Sequence, residues 1–351
     1  MLKARKICLD YNWNDLVDQR KIFDVHFIGF CNGLICKISA FPRGCCGVCY
    51  SICICNPITK ECVVLPIQGR TYIDSGIFGF GVDPRGKYKV IQMFEDDDGM
   101  WKGEIITLGE CSWRELIEIP QQLNCSFIGK FQEMLFMDGS LYFIVNKGIR
   151  KQPVILMFDM HDEKFSIIEF PPSMELRYLY HMRLTVIMDS LAIYQHEVPL
   201  SVHIWMIEIN KSKNNLRYQQ FPYVNLDNFS TWPYIYGLFS LVGKLSNSMF
   251  LFKLNDSSHF LVYCMERKRV LHVEVSGTFP GVFQTENFVP SLISPIVIAC
   301  GKTKNDDTRS ELLGLNLEVV GYSSLSEFMD SSSYLSQPFR VKQGFCHSCS
   351  R

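Results

Sequence analysis

The sequence predicts an all-β fold, a β-propeller of about five to six four-stranded blades, from three observations. The apolar runs are short, as at Leu141 to Val145, Lys89 to Phe94 and Met249 to Leu254, and each is bounded by Gly, Asp, Asn, Pro or Ser. A tight turn followed by an apolar strand recurs at Asn32-Gly-Leu-Ile-Cys36, Asp83 to Val90, Asp138 to Ile144 and Asp189 to Tyr194, in steps of 51, 55 and 51 residues. A strand ending in an apolar residue and then proline recurs at Val64-Leu-Pro66, Glu118-Ile-Pro120, Glu169-Phe-Pro171 and Gln220-Phe-Pro222, in steps of 54, 51 and 51. Two markers with one period near 50 mean one supersecondary unit repeated. A hairpin-rich sandwich would place turns about every 10 residues instead.

Each unit follows from that frame. The first opens at Phe27 and closes at Pro66, where proline, which cannot donate to a ladder, suits a strand end. The second, third and fourth close at Pro120, Pro171 and Pro222. A weaker fifth copy lies at Gly243 to Phe252, and the segment from Val270 to Val275, one further step on, has no proline. Gly33, Gly79, Gly81 and Gly139 are expected at turns or close backbone approaches. Residues 1–26 and 276–351 remain to close the ring or to form a sixth blade. Ser324-Leu-Ser-Glu327 fits the capping box of a short helix. Lys302 to Arg309, the serine run at Ser331 to Ser333 and the end at Cys346 to Arg351 read in part as a loose tail.

Composition removes several classes. Of 351 residues 47% are hydrophobic and 20% charged, which supplies a core and argues against disorder. The formal net charge of -1 gives no bias toward nucleic acid or an anionic membrane. No apolar stretch approaches the roughly 20 residues of a bilayer-spanning helix. Residues 1–15 lack the apolar region of a secretory signal. With 15 cysteines, an odd number, the expectation is free thiols in a reducing compartment, cytoplasmic or nuclear.

Site motifs are sparse. In Cys45-Cys-Gly-Val-Cys-Tyr-Ser-Ile-Cys-Ile-Cys55 the pair Cys46 and Cys49 has zinc-knuckle spacing, but Cys53 and Cys55 do not complete it. Counting by twos puts Cys49, Ser51, Cys53 and Cys55 on one strand face and Tyr50, Ile52 and Ile54 on the other. A packed strand is therefore expected, with no metal bound; Cys346-His-Ser-Cys349 is another incomplete set. Glu95-Asp-Asp-Asp98 with Gly99 reads as a solvated hairpin loop. Trp113 and Trp205 read as blade-packing aromatics. Gly79-Phe-Gly81 lacks the third glycine of a dinucleotide fingerprint, and no nucleophile elbow or P-loop is present. His26, His161, His181, His196, His203, His259, His272 and His347 have no motif-spaced catalytic partner.

The ordered motifs resemble a known family. Cys31 with Asn32-Gly-Leu-Ile-Cys36, Asn56-Pro-Ile-Thr-Lys-Glu61 with Leu65-Pro66, and Phe78-Gly-Phe-Gly-Val-Asp-Pro84 with Tyr88-Lys-Val90 are similar to the opening of the plant F-box associated domain. Leu108-Gly-Glu-Cys-Ser-Trp-Arg114, Asp138-Gly-Ser-Leu-Tyr142, Phe158 to Phe165, Ile204-Trp205 and Val289-Pro-Ser-Leu-Ile-Ser294 continue it. The resemblance implies a kelch-like propeller over residues 27–295, although the Gly-Gly doublet of kelch repeats is missing, with a divergent C-terminal segment at 296–351. It also implies a substrate-recruiting module of a Skp1-cullin-F-box ubiquitin ligase, acting in ubiquitin-dependent protein degradation. The family's helical F-box is not expected in residues 1–26, which are too short for it, so Skp1 docking is not expected of these residues.

The leading expectation is thus a non-catalytic interaction module that binds an unknown target protein through loops on one propeller face. No catalytic, cofactor-binding or metal residue is assigned. The alternatives are a propeller hydrolase with a central metal, which would need acidic residues at equivalent positions in successive repeats, or a truncated receptor without ligase assembly.

Overall fold

In the computed structural model the described residues are 5–7, 24–43, 47–66, 76–96, 98–120, 123–124, 131–147, 152–172, 174, 182–197, 201–210, 215–221, 224–225, 239–246, 249–254, 259–264, 266–267, 269–274, 291–300 and 318–320. Ser324 to Glu327, Lys302 to Arg309, Ser331 to Ser333 and Cys346 to Arg351 lie outside them.

Among the described residues the strands assemble into five antiparallel blades of four strand positions each. A short strand β1 (Arg5–Ile7) comes first. Blade 1 is β2 (Asp24–Cys31), β3 (Leu34–Arg43), β4 (Gly47–Asn56) and β5 (Glu61–Val64). Blade 2 is β6 (Gly76–Val82), β7 (Tyr88–Glu95), β8 (Trp101–Thr107) and β9 (Arg114–Glu115). In blade 3 the inner position is filled by two pieces, β10 (Leu123–Asn124) and β12 (Leu135–Met137), against β13 (Ser140–Lys147), followed by β14 (Gln152–Asp159) and β15 (Phe165–Ile168). Between those pieces runs β11 (Phe131–Glu133), which pairs in parallel with β6 and so joins blades 2 and 3. Blade 4 is β16 (Met182–Ile187), β17 (Ser190–Glu197), β18 (Ser201–Asn210) and an outer position shared by β19 (Asn215–Gln220) and β20 (Val224–Asn225). Blade 5 is β21 (Phe239–Ser246), β22 (Met249–Leu254), β23 (His259–Cys264) and β24 (Arg269–Glu274). After blade 5 come a five-residue helix α1 (Pro295–Ala299) and β25 (Glu318–Val320), the latter parallel to β1.

The turn marker falls between the first and second strands of every blade in which it was read. Asn32-Gly33, Asp138-Gly139 and Met188-Asp189 all have positive φ at both positions, the geometry of a type I′ hairpin turn, which twists with its flanking strands. Blade 2 uses the longer Asp83 to Lys87, where the Asp83 Oδ1 accepts from the backbone N–H groups of Arg85 and Lys87, each at 2.9 Å. The weak fifth copy is the β21–β22 hairpin.

The proline marker is less regular than its spacing implies. The outer strands do end in one equivalent way: Leu65, Leu116 and Phe221 each donate a backbone hydrogen bond to the third strand, to Ile52, Gly103 and Ile204. Ile168 pairs with Ile155 at the matching place in blade 3. Pro66 follows that residue directly, whereas Pro120 and Pro171 stand further along, and Pro222 lies outside the described residues. Glu118 to Pro120 is not strand, so the expected strand end there is corrected: β9 stops at Glu115.

One apolar layer lies between each consecutive pair of blades. Ile28, Leu34, Ile52 and Ile54 meet Phe78, Phe80 and Val90 between blades 1 and 2. Ile77, Ile91 and Ile105 meet Leu141, Phe143 and Leu156 between blades 2 and 3. Ile155 and Ile168 meet Ile193 and Trp205 between blades 3 and 4, and Tyr194 and Ile204 meet Phe250 and Phe252 between blades 4 and 5. A twisted four-stranded sheet has two apolar faces, and stacking blades removes both from water. Gly81 shows how close the stack is: a Cβ there would lie 2.3 Å from the Phe136 ring of β12.

Candidate functional site

Antiparallel pairing sorts the connections to two ends of the propeller. At one end, the turn end, lie the connections between first and second strands and between third and fourth strands. At the other, the loop end, the second strand of each blade ends and the third begins, and the outer strand of one blade ends before the next blade begins. The described turn-end connections are short, and side chains fix several of them. In blade 3 the Asp159 Oδ1 accepts from the N–H groups of His161 (2.8 Å) and Asp162 (3.0 Å).

Asn56 does the same in blade 1 and more. Its side chain is fully buried. The Oδ1 accepts from Ile58 (2.8 Å) and Thr59 (3.3 Å), while the Nδ2 donates to the carbonyls of Ser291 (2.9 Å) and Ile293 (2.7 Å). Every hydrogen-bonding capacity of the amide is used. Residues 291–300 are thereby strapped over the turn end of blades 1 and 2. The Ser291 Oγ donates to the Asn32 carbonyl at 2.6 Å, and Ile293, Ile298 and Ala299 pack on the layer between these blades. Gly33 admits the strap twice over, through its positive φ and because a Cβ would lie 2.3 Å from the Ser291 Oγ. Helix α1 starts where Ser294 caps it and Pro295 takes the first turn.

An ionic network also sits at the turn end, between blades 2 and 3. The Lys89 ammonium, 6% exposed, lies 3.4 Å from Asp83 and 2.9 Å from Glu163, and it donates to the Met160 carbonyl. Arg114 grips Glu163 through both carboxylate oxygens, with Nη1 to Oε2 at 2.6 Å. Desolvation pushes the Glu163 carboxyl up, but hydrogen bonds from Arg114 and Lys89 outweigh it and hold the group below its ordinary value. Asp83 is lowered in the same way: desolvation is outweighed by the backbone N–H of Lys87 and by Lys89. Arg85 lies 3.0 Å from the His161 ring across the same seam. These charges pair with one another between blades, which is a positioning role.

Three thiols come together on the outer half of blade 1. The Sγ atoms of Cys53 and Cys62 each lie 3.6 Å from that of Cys55, and all three are within 4.8 Å of one another. Among the described residues this is the one group of three or more side chains suited to hold a metal. Cys53 and Cys55 stand on the strand face that alternation assigned them, opposite Ile52 and Ile54. Cys62 comes from the neighbouring strand, where it pairs with Cys55. Burial raises the Cys53 thiol well above its ordinary range, and contact with the other two thiols, then burial, raises Cys62. Cys46 lies outside the described residues and nothing is described of the Cys49 side chain.

The other motif residues are structural. The Trp113 Nε1 donates to the Pro66 carbonyl at 2.9 Å, tying blade 2 to blade 1, and Trp205 is buried between blades 3 and 4. Of the acidic run, Glu95 ends β7, and the Asp96 Oδ1 accepts from Asp98 and Met100 in the β7–β8 hairpin loop. Among the described residues no helix is long and apolar enough to cross a membrane.

Comparison with known proteins adds what geometry does not. The family model of the F-box associated beta propeller domain matches residues 16–293. Two Arabidopsis thaliana relatives each carry the name Putative F-box protein. One is 28% identical over 181 residues, covering 48% of this chain and 42% of its own length. The other is 25% identical over 256 residues, covering 69% of this chain and 42% of its own. The chain thus spans less than half the length of these relatives. Among solved structures, the beta-propeller domain of the Trilobed protease from Pyrococcus furiosus superposes with a TM-score of 0.38 at 9% identity, covering 73% of this chain and 85% of that one. A Pyrococcus horikoshii acylaminoacyl peptidase gives 0.40 at 10%, covering 71% and 39%. Such distant likeness carries nothing about chemistry.

Proposed function

The chain belongs to the F-box associated beta propeller family, and from that membership we propose that it is a substrate-recruiting module of a Skp1-cullin-F-box ubiquitin ligase. In this reading the propeller does no chemistry: it holds a target protein for ubiquitin transfer by other subunits, in the cytoplasm or nucleus. The observation that carries the reading is the family match over residues 16–293, and the relatives named as F-box proteins support it. The layout of the fold agrees with a binding role. Short, pinned turns and the strap at 291–300 take up the turn end, which leaves the opposite, loop end as the target-binding surface.

Affinity purification of the full chain from plant extract, with mass spectrometry, tests this. One protein enriched in quantity is the expected target. It should become ubiquitinated when the chain, with a generic F-box fused ahead of Met1, is reconstituted with Skp1 and cullin. A fusion that binds Skp1 and folds, yet never modifies its co-purified protein, would refute the recruiting role. Since β2 begins at Asp24, the fusion point must precede that strand.

A further inference from the structure

Nothing in the recruiting role uses the thiols of Cys53, Cys55 and Cys62. Cys53 and Cys55 are completely buried and Cys62 is 1% exposed, so they form a buried cluster of three soft donors. The register explains how they meet. Cys53 and Cys55 alternate onto one face of β4, and Cys62 is the cross-strand partner of Cys55 on β5. A cation about 2.3 Å from each of three sulfurs holds those sulfurs about 3.7–4.0 Å apart. The 3.6 Å separations about Cys55 are within a few tenths of an ångström of that, and the third is under 4.8 Å. Lys37 pairs with Cys53 across β3 and β4 and is itself 1% exposed, so an ammonium lies on the same sheet face to offset negative charge.

We propose that Cys53, Cys55 and Cys62 form a binding site for monovalent copper, held by three thiolates. Soft thiolates select Cu(I), zinc or iron–sulfur clusters. A structural zinc site takes four protein ligands, and among the described residues this group offers three. A three-coordinate open zinc would call for water, which thiols this deeply buried do not meet, whereas Cu(I) is content with three sulfurs. On binding, Cu(I) replaces three thiol protons, which leave to solvent, and no electron is transferred. The metal then staples β4 to β5 at the outer edge of blade 1.

The test loads the full-length chain anaerobically with Cu(I), washes with a copper chelator, and measures retained copper and the X-ray absorption spectrum. One copper per chain with a first shell of three sulfurs is expected. Saturation at about 100 times Kd should raise Tm by roughly 3–5 °C. Cys53→Ala, Cys55→Ala and Cys62→Ala should each cut retention at least tenfold, while Cys111→Ser and Cys300→Ser, at exposed thiols, should leave it unchanged. Should those alanine variants fail to fold, the sulfur count of the wild-type protein decides alone. Copper retained equally without these thiols, a shell of fewer than three sulfurs, or zinc held in preference to copper would each overturn the assignment.

Discussion

Replacing Asn56 should unseat the strap at 291–300 before it disturbs any blade. In Asn56→Ala the carbonyls of Ser291 and Ile293 lose their donor, and the N–H groups of Ile58 and Thr59 lose their acceptor. Ile58 is exposed and can be rehydrated at little cost. The carbonyls face the fully buried position of Asn56, so their desolvation is what counts. At about 1–3 kcal/mol for each buried polar group left unmade, the variant should lose about 2–4 kcal/mol. Asn56→Asp separates the two roles, because it keeps the acceptor for the turn but sets a carboxylate against two carbonyl oxygens. Its protonated form can still donate to one of them. That carboxyl should therefore titrate above its unfolded value, and the variant should be most stable at low pH and weaken as pH rises through the folded value. Chemical denaturation gives the magnitude, and native-state hydrogen exchange at Val297 and Ile298 gives the location. A loss under 1 kcal/mol in both variants, with unchanged exchange in α1, would refute the pinning argument.

Three further outcomes follow from the seams between blades. Lys89→Met should cost about 2–4 kcal/mol by equilibrium unfolding, since it leaves Asp83 and Glu163 without their shared cation. Both carboxyls are held below their ordinary values, so their contribution is full above the unfolded values and is lost as pH falls through the folded ones; Glu163→Gln should flatten that acid limb in a pH series of Tm. Gly81→Val should lower Tm sharply or prevent folding, because the Phe136 ring occupies the space any Cβ would need.

Much of the fold was legible because the repeat marks backbone geometry. Asn-Gly and Asp-Gly repeat at positions that need positive φ at two consecutive residues, a requirement few dipeptides meet. The proline marker was less faithful because proline is excluded only from the ladder, so it can stand anywhere after the outer strand ends. The thiol cluster was half legible. Alternation put Cys53 and Cys55 on one face, but Cys62 joined them through the β4–β5 register, which depends on the Asn56 to Lys60 turn. The strap was missed outright. Ser294-Pro295 carries a cap and a first-turn proline, yet α1 is too short to show helical periodicity, and its anchor is 237 residues away at Asn56.

The two ends of the propeller do different work, and the difference follows from strand order. A turn between neighbouring strands of one blade spans only the distance across a ladder, so it can be short, and short turns here are closed by their own side chains. The same end carries the Lys89 network and the strap, so its polar groups are spent on holding blades together. A crossing from an outer strand to the next inner strand must traverse a whole sheet, which demands length, and added length costs little stability. Sequence change should therefore cost more stability at the turn end than at the loop end. For a chain proposed to recruit a target, that asymmetry would let the binding surface change while the blades, their seams and the Asn56 pin stay the same.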